Sequence, residues 1–360
     1  MMNAAYIEEL TGADRIRYGR MPVPRPGARE VLVRVAAVTA NHVDTFVRSG
    51  RFATDLHFPQ ILSRDLVGTV VDVGTEVAQT QVSQAQATQA QSTQAQATEA
   101  GGFAAGDMVW SHSLGYDGRQ GSAAEFALVE ADRLYHLPAG VDPLQAVAVL
   151  HPGATAFLAL QQHARLQSGE CVYVGGGAGQ VGSALIVQAA RAGARVVASA
   201  RSEDASYCRE LGAEAVLDYR SPTLATELAE AVAGQAAAGS GRTGVDVYVE
   251  TSGKHDFAQA IDSLAKGGRI ILLAGVEAES PLPVGKLYTR DGSLLGFVIS
   301  NAGVAELARS AACVNELLAG GLLRPRKIEV MPLAQLARAH RLLESGQVRG
   351  TRLVLVPDGG

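Results

Sequence analysis

"YVGGGAGQVG", residues Tyr173 to Gly182, is the stretch that decides the fold. The apolar run "CVYVG" leads into it and "VGSALIVQAARAG" leads out, so a short buried strand passes through a cluster of glycines into an amphipathic helix. Within it, Gly177-x-Gly179-x-x-Gly182 is a weak signal by itself and a stronger one between a strand and a helix. Gly177 is expected to permit the tight turn and Gly179 to let the backbone approach a pyrophosphate. Gly182 is expected to let the helix pack closely on the strand. Ala178, Gln180 and Val181 complete a cradle whose helix N-terminus faces the anion. The loop is expected to bind a dinucleotide.

The texture around this loop supports an α/β reading. After about Pro143, the strand candidates "VYVGGG", "RVVASA", "AVLDY", "VDVYVET", "RIILLAG" and "LLGFVI" follow one another. Most are separated by helical patterns such as "HDFAQAIDSLAKGG". Alternation of this kind builds parallel βαβ units and a doubly wound sheet. The first third reads differently. "EVLVRVAAVTAN" and "DLVGTVVDVGTEV", the latter bounded by Gly68 and Gly74, are alternating strands, and short strands continue to about Pro138. "LARSAACVNELLAGG" and "LAQLARAHRLLESG" read as helices, and "TRLVLVP" as a closing strand. Residues 81–100 repeat a five-residue unit, QVSQA, QATQA, QSTQA, QATEA. Five residues advance a helix by about 140° beyond one turn, so no apolar stripe accumulates, and a low-complexity loop insertion is expected.

Composition narrows the class. At 360 residues the chain can fill two domains, and its 47% hydrophobic and 19% charged content is that of a soluble globular protein. A net charge of -5 argues against a nucleic-acid or polybasic membrane binder. "MMNAAYIEEL" has no cationic patch followed by an apolar core, so a cytoplasmic protein is expected. Cys171, Cys208 and Cys313 are too scattered for a disulfide framework or a metal knuckle.

Cofactor choice is read at the end of the next strand. A site that prefers NAD places Asp or Glu there to accept from the ribose hydroxyls. Here the place reads Ser199-Ala200-Arg201-Ser202. Absence of a carboxylate removes repulsion against a 2′-phosphate, and the Arg201 fork can receive one, with Asp204 a mild complication. NADPH is the expected cofactor.

Taken in order, "NHVDTFVRSGRF", "SRDLVGTVVDVG", "HPGATAFLAL", "VDVYVETSG", "GGRIILLAG" and "AHRLLESG" resemble the medium-chain dehydrogenase/reductase superfamily. The likeness is to its zeta-crystallin-like quinone oxidoreductase branch and covers nearly the whole chain apart from the repeat. It implies a GroES-like catalytic domain over 1–138 and 301–360, and a Rossmann domain over 139–300, with the active site in the cleft. It also implies that Thr155 lies by the nicotinamide and that Tyr219 flanks the adenosine phosphate. Leu273, Ala274 and Gly275, and Phe297 to Ser300 with Ile299, would touch the carboxamide. Asn41 and Asp44 would sit near the reacting ring, with Phe46 and Phe52 lining the substrate slot. A homodimer through "PLPVGKLYTRDGSLLGF" is a further implication.

Two departures from the family shape the expected chemistry. The zinc alcohol dehydrogenases carry a His-Glu pair where this chain has Arg64-Asp65, and their cysteine cluster is absent. No metal is expected, and without a Lewis acid alcohol oxidation is not expected. Phe52 stands near the position where enoyl-thioester reductases carry a proton-donating tyrosine. Asp44 is read mainly as a turn-bonding residue, and His42 and His151 as solvated and structural histidines. Asn41 is the better candidate for orienting a carbonyl or water. A quinone, which takes hydride or electrons readily and protons from solvent, suits a site without an obvious acid. The alternatives are an enone or 2-enoyl-thioester reductase and an NADPH-binding protein with little turnover.

Overall fold

Residues 1–78, 102–236 and 243–358 are described in a computed structural model of the chain. The repeat at 81–100 lies outside them. The chain divides into two units, Met1–His151 with Gly303–Gly360, and Pro152–Ala302.

In the second unit a six-stranded, all-parallel sheet runs in the spatial order Ala215–Asp218, Arg195–Ala200, Cys171–Gly175, Val245–Glu250, Leu264–Leu272, Ser293–Gly296. By chain order this is 3-2-1-4-5-6, the Rossmann arrangement. The order reverses between Cys171–Gly175 and Val245–Glu250, where such sheets bind ligands beyond their strand ends. Strand Cys171–Gly175 is wholly buried, as a central parallel strand must be. Tyr173 and Tyr248 stack at 4.5 Å across the pair within a core that includes Val197, Leu228 and Ile261. The strand expected at "RIILLAG" starts earlier, at Leu264, and takes "LAKGG" from the expected helix, which stops at Ser263. Val245 pairs with Leu264 and then, past an irregularity, Val247 pairs with Arg269, and Gly267 (φ +76) makes the excursion possible.

The first unit is built on a sheet ordered Ile328–Pro332, Arg352–Val356, Glu30–Thr39, Leu66–Val73, Met108–Ser111, Tyr135–His136. Phe126–Glu130 also pairs with Glu30–Thr39, and Met2–Ile7 lies in a separate three-stranded sheet. Gly68, read from sequence as punctuation, is inside a strand. It pairs with Val35 where the register slips, and a Cβ there would come within 2.2 Å of the Arg34 carbonyl oxygen. The closing strand brings Val354 opposite Thr39, so the two ends of the discontinuous unit meet in the sheet. The boundary falls at 151/152 rather than 138/139. The helix Pro143–Val147, started by Asp142 accepting from the Gln145 N–H, packs on the strands Glu30–Thr39 and Leu66–Val73 of the first unit. Among the described residues no helix is long and apolar enough to cross a membrane.

Candidate active site

The glycine loop has the shape its spacing implies, except that the tight turn falls one residue before Gly177. The positive φ of the turn (+73) falls on Gly176. Gly177 is instead the tightly packed residue, where a Cβ would meet the Ala198 Cβ at 2.9 Å and the Ile186 Cδ1 at 3.0 Å. At Gly182 a Cβ would lie 2.1 Å from the Gly176 carbonyl oxygen, so only glycine lets the helix pass this close to the loop. Gly179 is exposed and is the N-cap of the helix Gln180–Arg191. The first N–H groups of that helix have no partner within it. Ala178, Gln180 and Val181, all half-buried, flank it. An open backbone cradle at a helix N-terminus fits a dinucleotide pyrophosphate.

The ends of the neighbouring strands join Arg201 to Tyr219. Arg201 Nε donates to the Tyr219 hydroxyl at 3.1 Å, and its Nη1 lies 3.4 Å from Glu203. Arg220 forks onto Asp218 at 3.0 and 2.8 Å and holds that carboxyl well below the usual range. Two guanidinium groups therefore face two carboxylates, and a phosphate at Arg201 competes with Glu203 rather than meeting a free cation. Ser199 lies inside: it is buried, and its hydroxyl accepts from Tyr173 at 2.9 Å, which turns it toward the sheet core.

At the switch point, the loops after Glu250 and Leu272 pack back to back. A Cβ on Gly253 would meet the Gly275 N at 2.9 Å, and the Ala274 carbonyl lies 2.9 Å from His255 Nε2. Leu273 is half-buried between them. Phe297 stacks on His163 at 4.4 Å, while Ile299 is buried. Thr155 is buried on the helix Leu150–Phe157, which continues as a π-helix over Leu158–His163, a form frequent at functional sites.

In the first unit, Asn41 and Asp44 belong to one buried polar network. Asp44 accepts from the Asn41 N–H at 2.8 Å, closing the start of helix His42–Ser49, and pairs with Arg64 at 3.3 Å. The Asn41 amide donates to Asp65 at 2.9 Å and accepts from Arg352, which lies 3.6 Å from Asp65. Thr39 also donates to Asp65, at 2.7 Å. Burial pushes the Asp65 carboxyl up to about 6, with Arg352 opposing the rise. Phe46 and Phe52 are brought together by the Phe52 N–H donating to the Phe46 carbonyl at 3.2 Å. Arg51 lies 4.8 Å over the Phe46 ring, and Tyr116 stacks on Phe52 at 5.6 Å.

Comparison with known proteins agrees with this architecture. Residues 27–139 match the alcohol dehydrogenase GroES-like domain, and residues 181–315 match the zinc-binding dehydrogenase family. A quinone oxidoreductase of Sus scrofa is 28% identical over 99% of this chain and 98% of its own length. Two mycobacterial structures, one a quinone oxidoreductase and one a complex with NADPH, are each 26% identical, with TM-score 0.78. They cover 99% of this chain and 100% of their own. The chain belongs to the quinone oxidoreductase branch of the medium-chain dehydrogenase/reductase superfamily.

The zinc named by the second family model does not fit this oxidoreductase. The positions of the family's His-Glu ligand pair hold Arg64 and Asp65, both buried, with the Arg352 guanidinium beside them. Two fixed cations repel a third, and neither guanidinium can ligate it. Among the described residues no group of three or more His, Cys, Asp or Glu is placed to hold a metal ion.

Two features escaped the sequence reading, and a third, His151, was read only as structural. His151 Nδ1 stands 4.0 Å from Asp65 Oδ1, with its side chain 13% exposed. Tyr116 has no motif around it, and its partnership with Phe52 spans 64 residues (116 minus 52). Asp218 lies at the cofactor end of its strand, where "LDYR" had drawn attention only to the tyrosine.

Proposed function

We propose that this oxidoreductase transfers hydride or electrons from NADPH to quinones or similarly activated carbonyls without a metal. One observation carries the reading. The open glycine cradle sits at the switch point of a Rossmann sheet, in a chain whose presumptive metal position is filled by paired arginines and carboxylates. Bound at the loop, NADPH supplies the hydride. The chain's own residues do the rest. Gly179 and the N–H groups of Gln180 and Val181 hold the pyrophosphate, and Arg201 exchanges Glu203 for the 2′-phosphate. Phe46 and Phe52 offer flat apolar faces to a ring-shaped acceptor, and such an acceptor needs positioning more than it needs an electrophile. We place the protein in the cytoplasm as a homodimer. The edge strand Ser293–Gly296 and the exposed Leu282, Val284 and Tyr288 that precede it in the chain support a self-association surface.

A second reading, an enone or 2-enoyl-thioester reductase, is favoured by Tyr116. Its ring against Phe52 brings a phenol close to where a tyrosine at position 52 would have offered one. An acceptor panel with NADPH separates the two. The expected order of kcat/KM is quinones first, then small enones, then crotonyl thioesters. Crotonyl thioesters outrunning every quinone would replace the first reading with the second.

A further inference from the structure

We propose that the Glu203 carboxylate marks the seat of the NADPH 2′-phosphate, between Arg201 and Arg220. Arg220 is then a second reader of that phosphate, and Glu203 is the residue that limits the preference for NADPH over NADH. This rests on the reading of Arg201 given above and adds two specificity-determining residues to it.

Strand pairing at the carboxyl end of the sheet assembles the seat. Ala200 lies opposite Asp218 where Arg195–Ala200 pairs in parallel with Ala215–Asp218, so Arg201 and Tyr219 leave the sheet side by side. The Gly177 N–H donates to the Ser199 carbonyl at 2.8 Å, which ties the end of the first of these strands to the glycine loop. Tyr219 serves both guanidinium groups. Its hydroxyl accepts from Arg201 Nε at 3.1 Å, and the Arg220 guanidinium lies 6.0 Å from its ring centroid. Asp218 fixes Arg220 a second time, accepting from its Nε at 3.0 Å and its Nη2 at 2.8 Å. That carboxylate is itself held by the Ser202 hydroxyl at 2.7 Å and the Arg220 N–H at 2.9 Å. Two of the five guanidinium N–H groups of Arg220 are thereby used on Asp218, and the others can turn to a second anion.

Glu203 shows where that anion belongs. From the turn Ser202–Asp204 it sends one carboxylate oxygen to Arg201 Nη1 at 3.4 Å and the other to Arg220 Nη2 at 3.6 Å. Both separations exceed the roughly 2.7–2.9 Å of a close charge-assisted hydrogen bond, so the carboxylate spans the gap without filling it. A phosphate group has three acceptor oxygens and carries up to about two negative charges, so it can engage both planar forks at once. The Glu203 side chain is 59% exposed and can swing into solvent as the phosphate enters. Charge then decides the strength of binding. Arg201 and Arg220 are matched by Glu203 and Asp218, so the four groups sum to zero and attract a dianion only as Glu203 withdraws. NADH has no 2′-phosphate and leaves the bridge in place. Glu203 therefore weakens the binding of NADPH alone.

Fluorescence titration with NADPH and with NADH tests the seat, and retained NADH binding shows that each variant is folded. Glu203→Gln should tighten NADPH about threefold to fivefold, the most that an exposed ion pair supplies, and leave NADH unchanged. The gain should vanish in about 1 M salt, where the Debye length falls to about 3 Å. Replacing Arg220 alone would strand Asp218 beside the phosphate. Asp218→Asn and Arg220→Met are therefore combined, which leaves the net charge as it was. The double variant should weaken NADPH about tenfold, the lower end of what hydrogen bonds to a charged group supply, and again spare NADH. An NADPH affinity unmoved by Glu203→Gln, an equal gain for NADH, or an NADPH affinity unmoved in the double variant would overturn the proposal. Arg201→Ala distinguishes that failure from failure of the underlying reading. A selective loss of NADPH there keeps Arg201 as a reader however the other variants behave. Equal losses for both nucleotides, or none, would remove the reader and the seat together.

Discussion

The glycine loop Gly175–Gly182 contains no charged side chain and acts through its backbone. The network around Asp65 contains two arginines and two aspartates, all almost completely buried. The loop's requirements are steric and close-range. Gly179 and Gly182 are each held by the Gly176 carbonyl a few residues away, as in the 2.1 Å approach of a Gly182 Cβ, while Gly175, Gly176 and Gly177 are held by Glu250, Thr251 and Ala198. The network's requirements are electrostatic and distant. Asn41 is joined to Arg352 across 311 residues and to Asp65 across 24. A dinucleotide site can thus be lost without disturbing the fold, whereas the network cannot lose a member without leaving a buried charge uncompensated.

Arg352→Met is the largest expected break in that contrast. It leaves Asp65 buried beside Asn41 and Thr39 without its cation, and removal of one partner from such a pair costs about 3–5 kcal/mol. The sign of the pH dependence follows from Asp65. Its folded-state pKa is already raised by burial, and loss of Arg352 raises it further, so protonation in the folded state offsets part of the cost. Urea denaturation should show a deficit at pH 8 that shrinks as pH falls through about 6. A deficit that is small or constant from pH 8 to 5 would mean that Arg352 does not hold the Asp65 charge.

Gly179→Val should do the reverse. The backbone there is extended (φ -76, ψ 174), which valine tolerates, and the nearest atom to a Cβ is the Gly176 oxygen at 3.1 Å. Loss of a glycine N-cap should cost about 1 kcal/mol or less, while bulk over the cradle should weaken NADPH binding more than tenfold in a fluorescence titration. Equal affinity in variant and wild type would remove Gly179 from the phosphate path.

The same contrast explains what was legible in the sequence. The loop and the alternating strands and helices reveal a Rossmann sheet because period and glycine spacing are properties of neighbours in the chain. Closure of the β-rich unit by its C-terminal strand was legible only through resemblance to a family, since nothing local in "TRLVLVP" points to Thr39. "LAKGG" was misread because parallel pairing with Val245 outweighs a helical pattern. That the turn falls on Gly176 and not on Gly177 depends on φ, which adjacent glycines do not reveal in a sequence. Arg201 and Tyr219 could be named singly, but their mutual bond and the competing Glu203 required the structure. His151 was set aside because a lone histidine is usually structural, and only the fold brings it to Asp65.

Competition at Arg201 makes nucleotide discrimination the most direct test of the central claim. NADPH and NADH should be titrated into the wild-type protein and into Arg201→Ala under one set of conditions. The wild type should bind one NADPH per chain and prefer it to NADH. The variant should lose roughly tenfold to a hundredfold in NADPH affinity, the charge-assisted contact being worth about 1.5–3 kcal/mol, and should hold NADH nearly as before. Tighter binding of NADH by the wild type, or equal losses for both nucleotides in the variant, would contradict the account.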